Sequence, residues 1–319
     1  MTIDVSGGPM TGVVVMSYGT PATPDDIGAY YTHIRRGRPP TAAQLADLER
    51  RYGALGGVSK LRERTEAQRT RLAAALERRA PGRFRVEIGQ RHAAPFIADA
   101  VTNLARPEMG SLPCARIVGL VLAPHYSRYS VQHYADTLAA AANDFGIDAV
   151  TIPHWYELPA YRSFLARAVV DARAALDVAP DATRVLFTAH SLPERLLVDD
   201  PYPDQLAEGA AGVAAEAGLD ERDWSIAWQS AGATDDVWRG PDVLAVIGEL
   251  AADPAVDGVV VCPHGFTSDH LEVAYDLDIE ARRAAEDAGL AFARTRVVDD
   301  DPTVFDALAE WVQLAGETA

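Results

Sequence analysis

The sequence predicts an α/β protein built from two doubly wound, Rossmann-like parallel-sheet domains with a cleft between them. Three observations carry this expectation. Short apolar, β-rich runs alternate with long Ala/Leu/Glu/Arg-rich stretches of helical period, the pattern of repeated βα units. The alternation comes in two consecutive arrays of similar length. With 319 residues, the chain also exceeds the usual size of a single core.

In the first array "GVVVMSY" (12–18), "RVEIG" (85–89) and "RIVGLVLAPH" (116–125) read as strands. Residues 41–52, 62–79 and 95–105 read as the helices between them. In the second array the strands are "DAVTIPHW" (148–155), "RVLFTAH" (184–190), "WSIAWQS" (224–230) and "VDGVVVCPHG" (256–265). Helices are expected at 160–176, 203–218, 241–251 and 269–288. The domains divide as 1–150 and 151–319, and a last helix at 303–315 could complete the first domain or fold on the second.

Composition narrows the function. The chain is 48% hydrophobic and 24% charged, as expected of a folded soluble protein. No apolar run reaches the roughly 18 residues that a membrane helix needs, and "MTIDVSGGPM" lacks the form of a secretory signal. A cytoplasmic protein without stable membrane association is therefore expected. Only Cys114 and Cys262 are present, too few for a disulfide framework, a four-cysteine zinc site or a cysteine-ligated iron–sulfur cluster. A net charge of −17 argues against nonspecific nucleic-acid binding, which needs a positive face. No dinucleotide fingerprint or phosphate-binding P-loop appears, so nucleotide cofactors are disfavoured.

In open parallel sheets ligands sit beyond the carboxyl ends of the strands. The segments there are "SYGTP", "APHYS", "AHSLP", "QSAGAT" and "PHGFTSDHLE", all polar or aromatic. His190 ends a strand and so projects from a rigid base; the ordinary alternative is a satisfied core histidine. On the expected helix 269–288, Glu272, Asp276 and Glu280 are spaced by four, which stacks three carboxylates on one face. Like charges at that spacing repel by a few tenths of a kcal/mol per pair. A hydrated divalent cation would offset this; a solvated acidic face is the plainer reading. A zinc site of Cys262, His264 and His270 is disfavoured, because the spacing matches no zinc motif and a buried strand thiol is ordinary.

Cations are scarce, yet "YYTHIRRGRPP" (30–40) holds Arg35, Arg36 and Arg38, and "ERRYGALGGVS" (49–59) holds Arg50, Arg51 and Tyr52. Such loops often just balance nearby acids. Clustered guanidinium groups also suit carboxylates. With Tyr18, Tyr30, Tyr31, Tyr126, Tyr129 and Tyr134 they describe an aromatic-lined site for a flat, polycarboxylated ligand.

These residues resemble a known family. "MSYGTP", "YYTHIRRGR", "RYGALGGVS", "LAPHYSRYSVQHY", "AHSLPE", "DPYPDQL", "WQSAGATDDVWRGPD" and "GFTSDHLEVAYDLDIEA" are similar, in order and spacing, to the ferrochelatases of the soluble Gram-positive type. The resemblance covers nearly the whole chain. It implies a two-lobed lyase that inserts Fe(II), as substrate, into coproporphyrin III in heme biosynthesis, with no organic cofactor. Protoporphyrin IX is the alternative substrate, and a non-catalytic tetrapyrrole carrier the alternative class.

By motif, His190 and Glu272 are implied as the catalytic metal-site pair and Tyr18 as the axial ligand on the opposite porphyrin face. Arg35, Arg51, Tyr52, Ser59 and Tyr134 are implied as contacts to the macrocycle or its propionates. Asp276 and Glu280 are implied as the outer acidic site for a second, hydrated cation such as Mg(II). A strand ending in His190 would fix a base against the porphyrin, since metalation releases two pyrrole protons. High-GC Gram-positive relatives often hold a [2Fe-2S] cluster, which two cysteines cannot reproduce. A monomer is expected, with transient contact to the decarboxylase that follows. His264, Lys60 and Arg239 depart from the usual residues; they would either tune metal or propionate preference near the cleft or be surface variation.

Overall fold

The computed structural model describes residues 9–107 and 112–317; most of the N-terminal decapeptide read for a targeting signal lies outside them. The chain divides into two compact units. The first takes the described residues up to Ala123, then Arg128–Trp155 and the residues from Asp299 onward; the second takes Pro124–Ser127 and Tyr156–Val298.

The sheet of the first unit is built from β1 (Thr11–Ser17), β2 (Phe84–Gln90), β3 (Arg116–Val121) and β4 (Asp148–Ile152). All pairings are parallel and the order is β2-β1-β3-β4. Central β1 is an unbroken apolar run because both of its faces are covered: Val13, Val14, Val15 and Met16 are fully buried. The helices are α1 (Ile27–Ile34), α2 (Ala42–Ala54), α3 (Leu61–Arg79), α4 (Ile97–Ala105) and α5 (Val131–Asn143). Thr41 opens α2 with a capping box, its hydroxyl accepting from Gln44 N at 3.3 Å while Gln44 Oε1 accepts from Thr41 N at 3.0 Å.

The second unit repeats the plan with β5 (Thr183–His190), β6 (Trp224–Gln229), β7 (Gly258–Cys262) and β8 (Ala291–Arg294). Their order is β6-β5-β7-β8, again all parallel. Its helices are α6 (Pro159–Ala174), α7 (Tyr202–Glu216), α8 (Val243–Ala251), α9 (Leu271–Tyr275) and α10 (Arg282–Asp287). The core between sheet and helices is lined by Leu186, Val259, Val261, Ile247, Val273 and Leu277. Helix α11 (Pro302–Glu317) belongs to the first unit and packs on α3 and β3.

Both sheets thus carry one topological arrangement: β2 and β3 flank β1 as β6 and β7 flank β5, while the 148–155 strand, expected to open the second array, is corrected to the edge of the first sheet beside β3. The strand order reverses between β1 and β3 in one unit and between β5 and β7 in the other. The carboxyl ends of those strand pairs are where a doubly wound sheet opens a crevice.

The expected helix over 269–288 is corrected. It opens at Leu271 with His270 as its cap and is interrupted by a π-helical segment, Asp276–Ala281. A π turn takes slightly more than four residues where an α turn takes slightly fewer, so residues spaced by four, as Glu272, Asp276 and Glu280 are, keep close to one face in either geometry. Helices α1 and α5 and strand β8 are also additional to those the sequence predicts. Strands β3 and β4 end earlier, at Val121 and Ile152, because the chain turns away at Pro124 and Pro153.

Candidate active site

In the second unit, the crevice at the β5/β7 switch point is formed by the ends of these strands and the segment opening α9. His190 is the last residue of β5. Its Nε2 lies 3.5 Å from Glu272 Oε1, and its Nδ1 lies 2.5 Å from Ser191 O. Burial works against a charged imidazole. The carboxylate and hydrogen bond of Glu272, the Ser191 carbonyl and Asp276 outweigh it, and together they raise the His190 pKa to about 9. In the metal-free state the pair is therefore an imidazolium facing a carboxylate. Each side chain keeps about a third of its surface open, 34% for His190 and 38% for Glu272.

The backbone around this pair is built for close approach. Gly265 N donates to Thr188 O at 3.1 Å, and a Cβ on Gly265 would stand 2.6 Å from Ala189 Cβ and 2.9 Å from its Cα. Only glycine lets the β7–α9 connection lie against the strand end that carries His190. Gln229, at the end of β6, donates from Nε2 to Glu272 O at 3.0 Å, and Tyr202 OH donates to His190 O at 3.2 Å. Ser230 follows with φ of 60°, and its hydroxyl donates to Asp276 Oδ2 at 2.5 Å. Asp276 is buried, at 6% exposure.

His190, Glu272 and Asp276 are brought into one neighbourhood. Glu280 is half-buried near the end of the π segment. Among the described residues no three His, Cys, Asp or Glu side chains converge closely enough to enclose a metal ion. Nor do Cys262, His264 and His270 converge. Burial pushes the Cys262 thiol up to about 12, His264 Nε2 turns to Leu206 O at 3.1 Å, and His270 Nδ1 accepts from Val273 N at 3.2 Å.

In the first unit, Tyr18 stands just past β1 and is 40% exposed. Tyr52 and Ser59 are buried and meet Thr20: the Thr20 hydroxyl lies 3.4 Å from Tyr52 OH and 3.1 Å from Ser59 Oγ. Tyr134 is buried on α5 beneath the Arg91 guanidinium, 5.6 Å from its ring centroid. Arg35 follows α1, donates from Nε to Arg38 O at 3.2 Å and lies over the Tyr31 ring. Arg51 Nε donates to Asp47 Oδ2 at 3.1 Å. Tyr18 and the two arginines are thus partly open, whereas Tyr52, Ser59 and Tyr134 are buried.

Sequence reasoning missed Gln229, Ser230 and Tyr202, which hold the His190–Glu272–Asp276 group. The signal was their position at or just beyond strand and helix ends beside motif residues. It also set His264 beside Lys60 and Arg239 as either a cleft group or surface variation, and the structure makes it neither. His264 is 1% exposed, packed edge-on against His125 and Phe187. Lys60 is exposed and precedes α3, while Arg239 pairs with Glu194 at 3.3 Å and lies over Trp228.

Each unit is thus a four-stranded parallel α/β fold. Two solved chelatases share it. CbiX, the terminal enzyme of siroheme biosynthesis in denitrifying bacteria, superposes with a TM-score of 0.55 at 16% identity, covering 96% of this chain and 99% of the other. The cobalt complex of the sirohydrochlorin chelatase SirB from Bacillus subtilis subspecies spizizenii gives 0.51 at 12% identity, covering 97% and 96%. These likenesses establish the fold.

The sequence profile of the ferrochelatases matches residues 10–315, and this chain belongs to the ferrochelatase family. It is 40% identical to the coproporphyrin III ferrochelatase of Geobacillus kaustophilus over 94% of each chain. It is 39% identical to that of Bacillus subtilis strain 168, over 93% of this chain and 95% of the other. It is also 38% identical to a ferrochelatase of Herpetosiphon aurantiacus, over 93% and 96%.

Proposed function

We propose that this protein inserts Fe(II) into coproporphyrin III, giving Fe-coproporphyrin III in heme biosynthesis. The observation that carries the reading is the His190–Glu272 pair at the β5/β7 switch point. Fe(II) is a substrate here, and its borderline character suits an imidazole nitrogen with a carboxylate oxygen. The pair holds one proton before the metal arrives. A dication approaching both side chains displaces that proton to solvent, to which the pair is open, and leaves a neutral imidazole and a carboxylate. Those are the forms able to accept the two pyrrole protons that metalation releases.

In this reading the first domain supplies the porphyrin-binding loops and the second the metal-site pair. Tyr18 is the axial ligand to the iron of the product. Arg35, Arg51, Tyr52, Ser59 and Tyr134 receive the macrocycle and its propionates. Four propionates on coproporphyrin would meet a chain of net charge −17, so the clustered arginines offset a repulsion that a two-propionate porphyrin would feel less. Asp276 and Glu280 carry a second, hydrated cation such as Mg(II), and the protein works without an iron–sulfur cluster. It acts as a cytoplasmic monomer that passes product to a decarboxylase. Among the described residues no helix is long and apolar enough to cross a membrane.

Anaerobic Fe(II) insertion, followed by loss of the free-porphyrin spectrum, compares coproporphyrin III with protoporphyrin IX. Faster metalation of coproporphyrin supports the reading. Equal or faster use of protoporphyrin overturns the substrate assignment, and binding of both without metalation makes the protein a tetrapyrrole carrier instead.

A further inference from the structure

The first unit carries two imidazoles that the porphyrin reading does not use. His33 lies in the last turn of α1 and His92 two residues past β2, and their Nδ1 atoms stand 3.0 Å apart. The scaffold under them is ordered. His92 N donates to Tyr18 O at 3.0 Å and Arg91 N to Ser17 O at 2.9 Å, which ties the β2 loop to the end of β1. The rings are seated as well: Tyr18 packs against His92 with centroids 4.6 Å apart, and Phe96 packs against His33 at 5.5 Å.

With the proton on Nδ1 of one ring the pair is an ordinary N–H···N hydrogen bond; with both rings protonated on Nε2, two Nδ1 lone pairs face one another and need a positive centre. That centre is either a proton shared between the rings or a metal ion. Spacing discriminates among ions. Nitrogens bound about 2.0–2.1 Å from one ion lie about 2.9 Å apart at a right angle and about 3.3–3.4 Å apart at the tetrahedral angle. The observed separation fits the right angle. Arg91 is a cation beside the site and limits its affinity; its guanidinium is drawn over the Tyr134 ring.

We propose that His33 and His92 form a bidentate imidazole site for a tetragonal divalent ion of the copper(II) or nickel(II) class, with solvent completing the coordination. The site lies within the first unit, against Tyr18, and its copper-binding test does not depend on the chelatase reading.

The test is Cu(II) binding to the full chain carrying His190→Ala, which removes the imidazole of the second unit. Equilibrium dialysis and electron paramagnetic resonance should show one equivalent coupled to two equatorial imidazole nitrogens. Adding His33→Gln, which can still hydrogen-bond to His92 but ligates copper poorly, should weaken binding by about tenfold or more and remove one nitrogen coupling. His92→Gln should do the same, and an unchanged thermal unfolding midpoint in either variant excludes a folding defect as the cause. Unaltered affinity and coupling in both variants, or a parent spectrum without two nitrogens, would overturn the site.

Discussion

His190 Nε2 lies 3.5 Å from Glu272 Oε1, and that carboxylate favours the charged form of the imidazole. His190 alone, in this degree of burial, would lose its proton readily; facing Glu272 it keeps it to about pH 9. In Glu272→Gln the charge and the strong acceptor both disappear, and burial then acts with less opposition. The His190 titration, followed by its imidazole proton resonances, should fall from about 9 toward 6.5 or below. A value that stays near 9 would mean that Ser191 O and Asp276 hold the proton without Glu272.

Removing either member should stop chemistry without emptying the porphyrin site. His190→Ala is expected to cut metalation by about 10²–10⁴-fold, the range for a lost acid–base group, while porphyrin affinity measured by fluorescence quenching changes little. Loss of affinity in parallel with rate would instead make His190 a wall residue.

Ser230 is held at a φ of 60°, a region that costs a non-glycine residue about 1 kcal/mol or more. It is kept there while its hydroxyl bonds to buried Asp276. Ser230→Ala retains the strain and loses the bond, and should destabilise the protein by about 1.5–3 kcal/mol, the range for a hydrogen bond to a charged group. Ser230→Gly loses the same bond but relieves the strain, so it should be about 1 kcal/mol less harmful. Urea unfolding of both variants measures the difference. Equal losses would show that the backbone at Ser230 is relaxed.

The strands were legible in the sequence because buried parallel strands leave a direct mark: β1 and β7 are unbroken apolar runs, and the polar segments after them stood out. His190 and Glu272 followed from that, with the family resemblance adding their roles. What was not legible had weak or misleading local signals. Helix α1 buries only Ile27, so "IGAYYTHI" shows little apolar stripe and reads as part of an arginine-rich loop. The π segment "DLDIEA" contains neither Gly nor Pro and looks like ordinary helix. Its wider turn depends on tertiary packing, which no local pattern encodes. Ser230 and Gln229 matter through what they touch across the fold, which no local pattern records.

Gly265 tests the close approach behind the site. With an added Cβ 2.6 Å from Ala189 Cβ and 2.9 Å from its Cα, Gly265→Ala cannot be absorbed by a flexible side chain and must shift backbone. Overpacking of this kind costs about 1–3 kcal/mol. Because the displaced strand end is the one that carries His190, metalation should fall by a larger factor than porphyrin affinity does. A variant with wild-type rate and reduced stability would show that the strain is relieved away from His190.

His264 gives the pH dependence of stability its sign. Burial holds its folded pKa near 4 against an ordinary 6.5, even with the carbonyls of Leu206 and Thr188 favouring protonation. The unfolded chain therefore binds the proton first, and stability falls as pH drops from about 6.5 toward 4. At 1.36 kcal/mol per pKa unit, the loss attributable to this one buried ring reaches about 3 kcal/mol at pH 4 and about 1 kcal/mol at pH 5.5. His190 acts in the opposite sense, its raised pKa adding stability that disappears as pH rises toward 9, so wild-type profiles mix the two. The difference between wild type and His264→Leu isolates the buried ring. The variant should lose less stability than wild type between pH 7.5 and 5.5, by about 1 kcal/mol in denaturant unfolding. Parallel profiles for the two proteins would mean that His264 is protonated in the folded state, with its two neighbouring carbonyls outweighing burial.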